Sequence, residues 1–138
     1  MNLSAFLRGN ALPMEEREVI ISKRFVDKDG KPIPWKIRAV TEEENRTIKD
    51  ACMSRTTGKG GKVNMHFDAM KYNVRLAAAS VVYPDLQDAE LQKSYGVMGA
   101  EKLIGVMLTA GEAGELSTVV QETSGFDIEE EIEEAKNS

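Results

Sequence analysis

The chain has 138 residues, 41% of them hydrophobic and 30% charged, with 18 Lys/Arg against 23 Asp/Glu and a formal charge of −5. That is one domain's length with apolar side chains spread throughout, so the low-hydrophobicity signature of a wholly disordered chain is absent. No apolar run approaches the roughly 18 residues of a membrane-spanning helix, and the opening MNLSAFLR is too short and polar for a signal peptide, so a cytosolic protein with no membrane partner is expected.

One cysteine, Cys52, and one histidine, His66, limit the available chemistry, because disulfide frameworks and Cys/His zinc sites need several ligands. Nucleophilic catalysis would have to use this one pair, 14 residues apart across a glycine-rich stretch, and core filling is the simpler use of the thiol. No catalytic residue, metal or cofactor is expected. Charge is polarised: residues 1–75 hold 15 Lys/Arg against 10 Asp/Glu, and residues 76–138 hold 3 against 13. Such asymmetry can orient self-association head to tail, or can simply solvate each half. The basic half lacks interleaved aromatic residues, so nucleic acid is not an expected partner.

Residues 1–17 show no sustained periodicity and read as an N-terminal arm. Its apolar side chains, Leu3, Phe6, Leu7, Leu12 and Met14, exceed what a solvated tail needs and should pack on this domain or on a neighbouring subunit. Residues 18–40 read as a β-hairpin. Ile33, Trp35, Ile37 and Ala39 alternate with Pro34, Lys36 and Arg38, and Asp29-Gly30 offers the positive φ of a tight reversal. Pro34 cannot donate to a ladder and should face outward from an edge. The acidic residues before Gly30 do not make an EF-hand, whose first and twelfth positions would fall on Phe25 and Lys36.

Helices are predicted beyond residue 40. Thr41-Glu-Glu-Glu44 is a capping box opening a helix to about Arg55, with Ile48, Ala51 and Cys52 as its narrow apolar stripe. Residues 56–65, with three glycines, read as a flexible loop whose spacing fails the phosphate-binding pattern, because Val63 follows Gly61-Lys62. Asp68 caps a helix over 69–83 carrying Met70, Val74, Ala77, Ala78 and Val81, ended by Pro84. A short helix over 88–95 stops at Gly96. Residues 99–110 form another helix, presenting Leu103, Ile104, Met107 and Leu108, with Gly111 as its stop. Residues 112–124 form the next, with Leu116, Val119, Val120 and Thr123 on one face and Gly125 ending it. Asp127 caps an acidic terminal helix or tail over 128–138.

The expected fold is therefore α+β and mostly α: an N-terminal hairpin at about 18–40 followed by a bundle of about five short helices. The domain spans 18–127, between the arm and the acidic tail. Met65, Met70, Met98 and Met107 suit either core packing or an adaptable groove for apolar segments. On the groove argument, Met98, Leu103, Met107 and Leu108 are the candidate client-binding residues. Phe25 and Trp35 of the hairpin are candidates for self-association by strand addition.

Four segments, in order along the chain, carry a resemblance: Asn2-Leu-Ser-Ala-Phe-Leu7; Ser22-Lys-Arg-Phe-Val-Asp-Lys-Asp-Gly30 with Pro34-Trp-Lys-Ile-Arg38; the stretch from Val82-Tyr-Pro-Asp-Leu86 to Val97; and Met107-Leu-Thr-Ala-Gly-Glu112. Gly125-Phe-Asp127 and Glu134-Ala-Lys-Asn137 extend it. Together they resemble the XkdN-like tail assembly chaperones of tailed phages and phage-like elements. The resemblance implies a non-enzymatic chaperone that coats the tape measure protein, keeps it soluble and helps recruit tail tube protein. It also implies a location in the bacterial host cytoplasm and absence from the finished virion. A frameshifted longer form of the same protein is a further implied partner, and strand addition at the hairpin edge makes a homo-oligomer the expected assembly. The alternative is a tail or connector subunit retained in the particle.

Overall fold

The computed structural model describes residues 2–126. Glu16–Val19 (β1) pairs antiparallel with Trp35–Arg38 (β2), from Glu16 opposite Arg38 to Val19 opposite Trp35. Trp35 and Ile37 point into the core while Lys36 and Arg38 alternate outward, the period-two pattern of a half-buried strand. The pairing thus begins at Glu16, inside the expected arm, and the first strand ends at Val19 rather than running on toward the turn, while the turn itself is built as expected. Asp27 Oδ1 accepts from the amides of Asp29 (2.8 Å) and Lys31 (3.0 Å), and Gly30 takes φ 79°. Pro34 is exposed just before β2, but β2 is not an edge. Val81–Tyr83 (β5) pairs on its other side, giving the order β1-β2-β5.

That third strand corrects the helix predicted over 69–83. Helix α2 runs Ala69–Ser80, capped by Asp68, whose side chain accepts from the Lys71 amide. Val81-Val82-Tyr83 then extends, because β-branched and aromatic residues directly before a proline favour extended backbone. Ser80 fixes the switch: its hydroxyl donates to the Arg38 carbonyl at 2.5 Å, tying the helix end to β2.

Helix α1 spans Glu42–Ala51 and carries the complete Thr41/Glu44 capping box. It stops at the Cys52 cap rather than continuing to Arg55. Met53–Thr57 (β3) and Val63–Phe67 (β4) form a second antiparallel hairpin where a helix end and a flexible loop were expected. The glycines occupy only its turn, with Gly60 and Gly61 at φ 76° and 75°.

Helix α3 (Ala89–Ser94) begins at the Asp88 cap and ends before Gly96 at φ 69°. Helix α4 (Ala100–Met107) and helix α5 (Ala110–Thr123) meet at Thr109, whose capping box with Glu112 starts α5. Gly111 is thus inside α5 and stops nothing; the break falls two residues earlier because Thr109 and Glu112 satisfy the first free amides of α5. Gly125, at φ 89°, ends α5 as expected. The acidic helix expected over 128–138 lies outside the described residues.

The core forms where α2, α4 and α5 close over the three-stranded sheet. Trp35, Ile37, Leu76, Leu86, Leu103 and Leu116 are each no more than 2% exposed, and full burial of such a side chain stabilises by about 1.5–3 kcal/mol. The fold is α+β and mostly helical, with five helices among the described residues. The β3–β4 hairpin contributes no residue to this core.

Candidate functional site

The β3–β4 hairpin is amphipathic, and its apolar face is in solvent. Directly opposed residues of an antiparallel pair share a face. The pairs Met53–Phe67, Arg55–Met65 and Thr57–Val63 therefore line one side, and Ser54–His66 and Thr56–Asn64 the other. On the polar side Thr56 Oγ1 and His66 Nε2 share a hydrogen bond at 3.0 Å. On the apolar side Met53, Val63, Met65 and Phe67 are 37%, 46%, 58% and 47% exposed. An apolar face left uncovered on a two-stranded ribbon is unusual, since such ribbons need a third element for stability.

Two contacts hold the hairpin at its base. The Asp68 amide donates to the Cys52 carbonyl at 3.0 Å. The Phe67 ring lies 5.5 Å from Tyr72 of α2, tilted by 54°. The Tyr72 hydroxyl donates in turn to the Asn45 side chain of α1. Beside this base, Phe67, Tyr72, Lys49 and Phe126 line a cleft of about 210 Å³. A larger groove of about 370 Å³, lined by Met70, Val74, Ala77, Ile104, Ala113 and Leu116, runs between α2, α4 and α5.

The arm is apolar and exposed as well. Leu3, Phe6, Leu7, Leu12 and Met14 are all exposed, with Leu12 at 90%, so they do not pack on this domain.

The sequence candidates divide. Met98 is 85% exposed beside the start of α4, whereas Leu103, Met107 and Leu108 are buried in the core, so the four do not share one open surface in this conformation. Trp35 is buried beneath the sheet; Phe25 is half-buried, with the Arg24 guanidinium 5.0 Å over its ring. Of the methionines considered for a groove, Met65 and Met70 are exposed and Met107 is buried. Cys52 is buried, while His66 stands on the exposed hairpin. No group of three or more His, Cys, Asp or Glu side chains among the described residues could hold a metal, and no described helix is long and apolar enough to cross a membrane. The hairpin escaped sequence reading although its signal was present, in the alternation of Val63, Met65 and Phe67 with Asn64 and His66.

The family model for phage XkdN-like tail assembly chaperone proteins matches residues 3–136. The chain is 34% identical over 146 residues to phage-like element PBSX protein XkdN of Bacillus subtilis (strain 168), covering 99% of this chain and 94% of that one. It is likewise 34% identical over 143 residues to protein YqbN of the same organism, covering 97% and 91%. The crystal structure of YqbN superposes with a TM-score of 0.77 at 30% identity, over 92% of this chain and 98% of that one. The match over nearly the whole chain sets its class as that of the phage tail assembly chaperones. The chain belongs to its XkdN-like family.

Proposed function

We propose that this protein binds the tape measure protein during tail assembly, keeps it soluble and helps recruit tail tube subunits, with the apolar face of the β3–β4 hairpin as the principal client surface. The observation that carries the reading is the solvent-facing row Met53, Met65, Val63 and Phe67 on a hairpin that the core does not need. Flexible thioethers adapt to varied apolar partners, and a chaperone that is displaced as the tube advances needs many weak contacts rather than one tight one. The exposed arm residues and Met98 supply further contacts of this kind. The protein acts in the host cytoplasm, without catalysis, as several copies along each client.

Co-expression with the tape measure protein of the same gene cluster, followed by size-exclusion chromatography with light scattering, tests the reading. A client that becomes soluble and co-elutes with several copies supports it. A client that is equally insoluble with and without this chain, together with recovery of the chain in purified particles, replaces it with that of a retained tail subunit.

A further inference from the structure

The hairpin is charged as well as apolar. Residues 51–67 carry Arg55, Lys59 and Lys62 and no acidic side chain. The register sets Arg55 in the middle of the apolar face, opposite Met65 and between the Met53–Phe67 and Thr57–Val63 pairs. None of these three cations lies within ion-pair distance of a described carboxylate. Covering Arg55 with a purely apolar partner would bury an uncompensated charge. Two copies meeting through this same face would oppose like charges.

We propose that this face takes an amphipathic segment whose apolar stripe is flanked by carboxylates. The inference rests on the reading that the hairpin holds the client, and it names the client's chemistry. Apolar side chains seat on Met53, Val63 and Met65. One carboxylate meets the Arg55 guanidinium, whose planar fork suits bidentate pairing, and others reach Lys59 and Lys62 at the turn.

The probes are two fluorescein-labelled synthetic peptides with the same leucine stripe, one flanked by glutamates and one by lysines, titrated by fluorescence polarisation into the full-length protein. At low ionic strength the glutamate peptide binds about tenfold tighter than the lysine peptide. That gap narrows as the Debye length falls from about 30 Å at 0.01 M salt to about 8 Å at 0.15 M. The variant Arg55→Glu/Lys59→Glu/Lys62→Glu, whose changes all lie on exposed positions, keeps its melting temperature and reverses the preference. Equal affinities for the two peptides, or a preference that survives charge reversal, overturn the proposal. So does glutamate-peptide binding that appears only in a full-length variant with the acidic residues of 127–138 changed to their amides, which would make this chain's own C-terminal segment the occupant. Peptides without preference, alongside a tape measure protein still solubilised by the wild type, remove the charge inference alone. A client that the wild type leaves insoluble removes the chaperone reading itself.

Discussion

Arg38 and Glu44 form a two-pronged pair, with Arg38 Nη1 donating to Glu44 Oε1 at 3.0 Å and Nη2 to Oε2 at 2.6 Å. The contact joins the end of β2 to the capping box of α1, because Glu44 Oε1 also accepts from the Thr41 amide at 3.2 Å. One carboxylate thus fixes the angle at which α1 leaves the sheet, and α1 leads directly into the β3–β4 hairpin.

The Arg38 hydrogen bond is the chief reason that the Glu44 carboxyl falls from 4.5 to about 2. A carboxylate held ionised below its unfolded value stabilises fully above about pH 4.5, and the contribution is lost as pH falls toward about 2. Glu112, lowered to about 2 foremost by Arg24 and then by Ser22, acts in the same window. Glu44→Gln retains an amide that can cap, so it removes mainly the charge. Both partners of the pair are more than a third exposed, so the loss at pH 7 is about 0.5–1 kcal/mol after solvent screening. Thermal melts from pH 7 to 2 should show a lower starting stability for the variant and a shallower fall below pH 4.5 than for the wild type.

Leu103 and Met98 separate packing from surface. Leu103→Ala empties a site that is 0% exposed and should cost about 2–5 kcal/mol in urea unfolding. Met98→Ser, at a position 85% exposed, should change stability by less than about 0.5 kcal/mol. A large loss for Met98→Ser would place that side chain in a packed contact.

Two glycines test the starts of α4 and α5. Gly111 lies inside α5 with nothing within 4 Å of an added Cβ, so Gly111→Ala should stabilise by about 0.4–1 kcal/mol. Gly99 caps α4 at φ 103°, and Gly99→Ala should destabilise by about 1 kcal/mol or more through strain. Thermal melts of the two variants should shift in opposite directions.

Met65→Asp and Asn64→Asp place the same charge on opposite faces of the hairpin. Both positions are exposed, so neither variant should lose measurable stability. In co-expression with the tape measure protein, Met65→Asp should abolish or strongly reduce client solubility, while Asn64→Asp should leave it near wild type. Equal losses for both would point to charge alone rather than to the apolar face.

Local chemistry was readable where one residue type has one use. Thr41 with Glu44, Asp68, Asp88 and Gly96 each marked a helix end that the structure has. The failures share a cause: a strong signal hid a weaker one beside it. The glycines at 58, 60 and 61 read as a loop and masked the strands on either side, whose alternation is interrupted on the apolar face by Arg55. The apolar run through Val81 extended a helix that Ser80 and the pull of β2 end. Gly111 drew attention from Thr109 and Glu112, a capping box as plain in the sequence as the one at Thr41. Placing Leu103, Met107 and Leu108 inside and Met65 outside required the tertiary fold, because the same apolar residues suit a core and a binding face equally well.

Amide hydrogen exchange on the full-length protein, alone and in complex with the tape measure protein, tests the central claim most directly. Residues 53–67 make no contribution to the core and should exchange fast in the free protein. Strong slowing across 53–57 and 63–67 in the complex, with little change in the core helices α4 and α5, is the predicted result. Unchanged exchange in the hairpin, with protection confined to other surfaces, would contradict the proposal that it is the client-binding face.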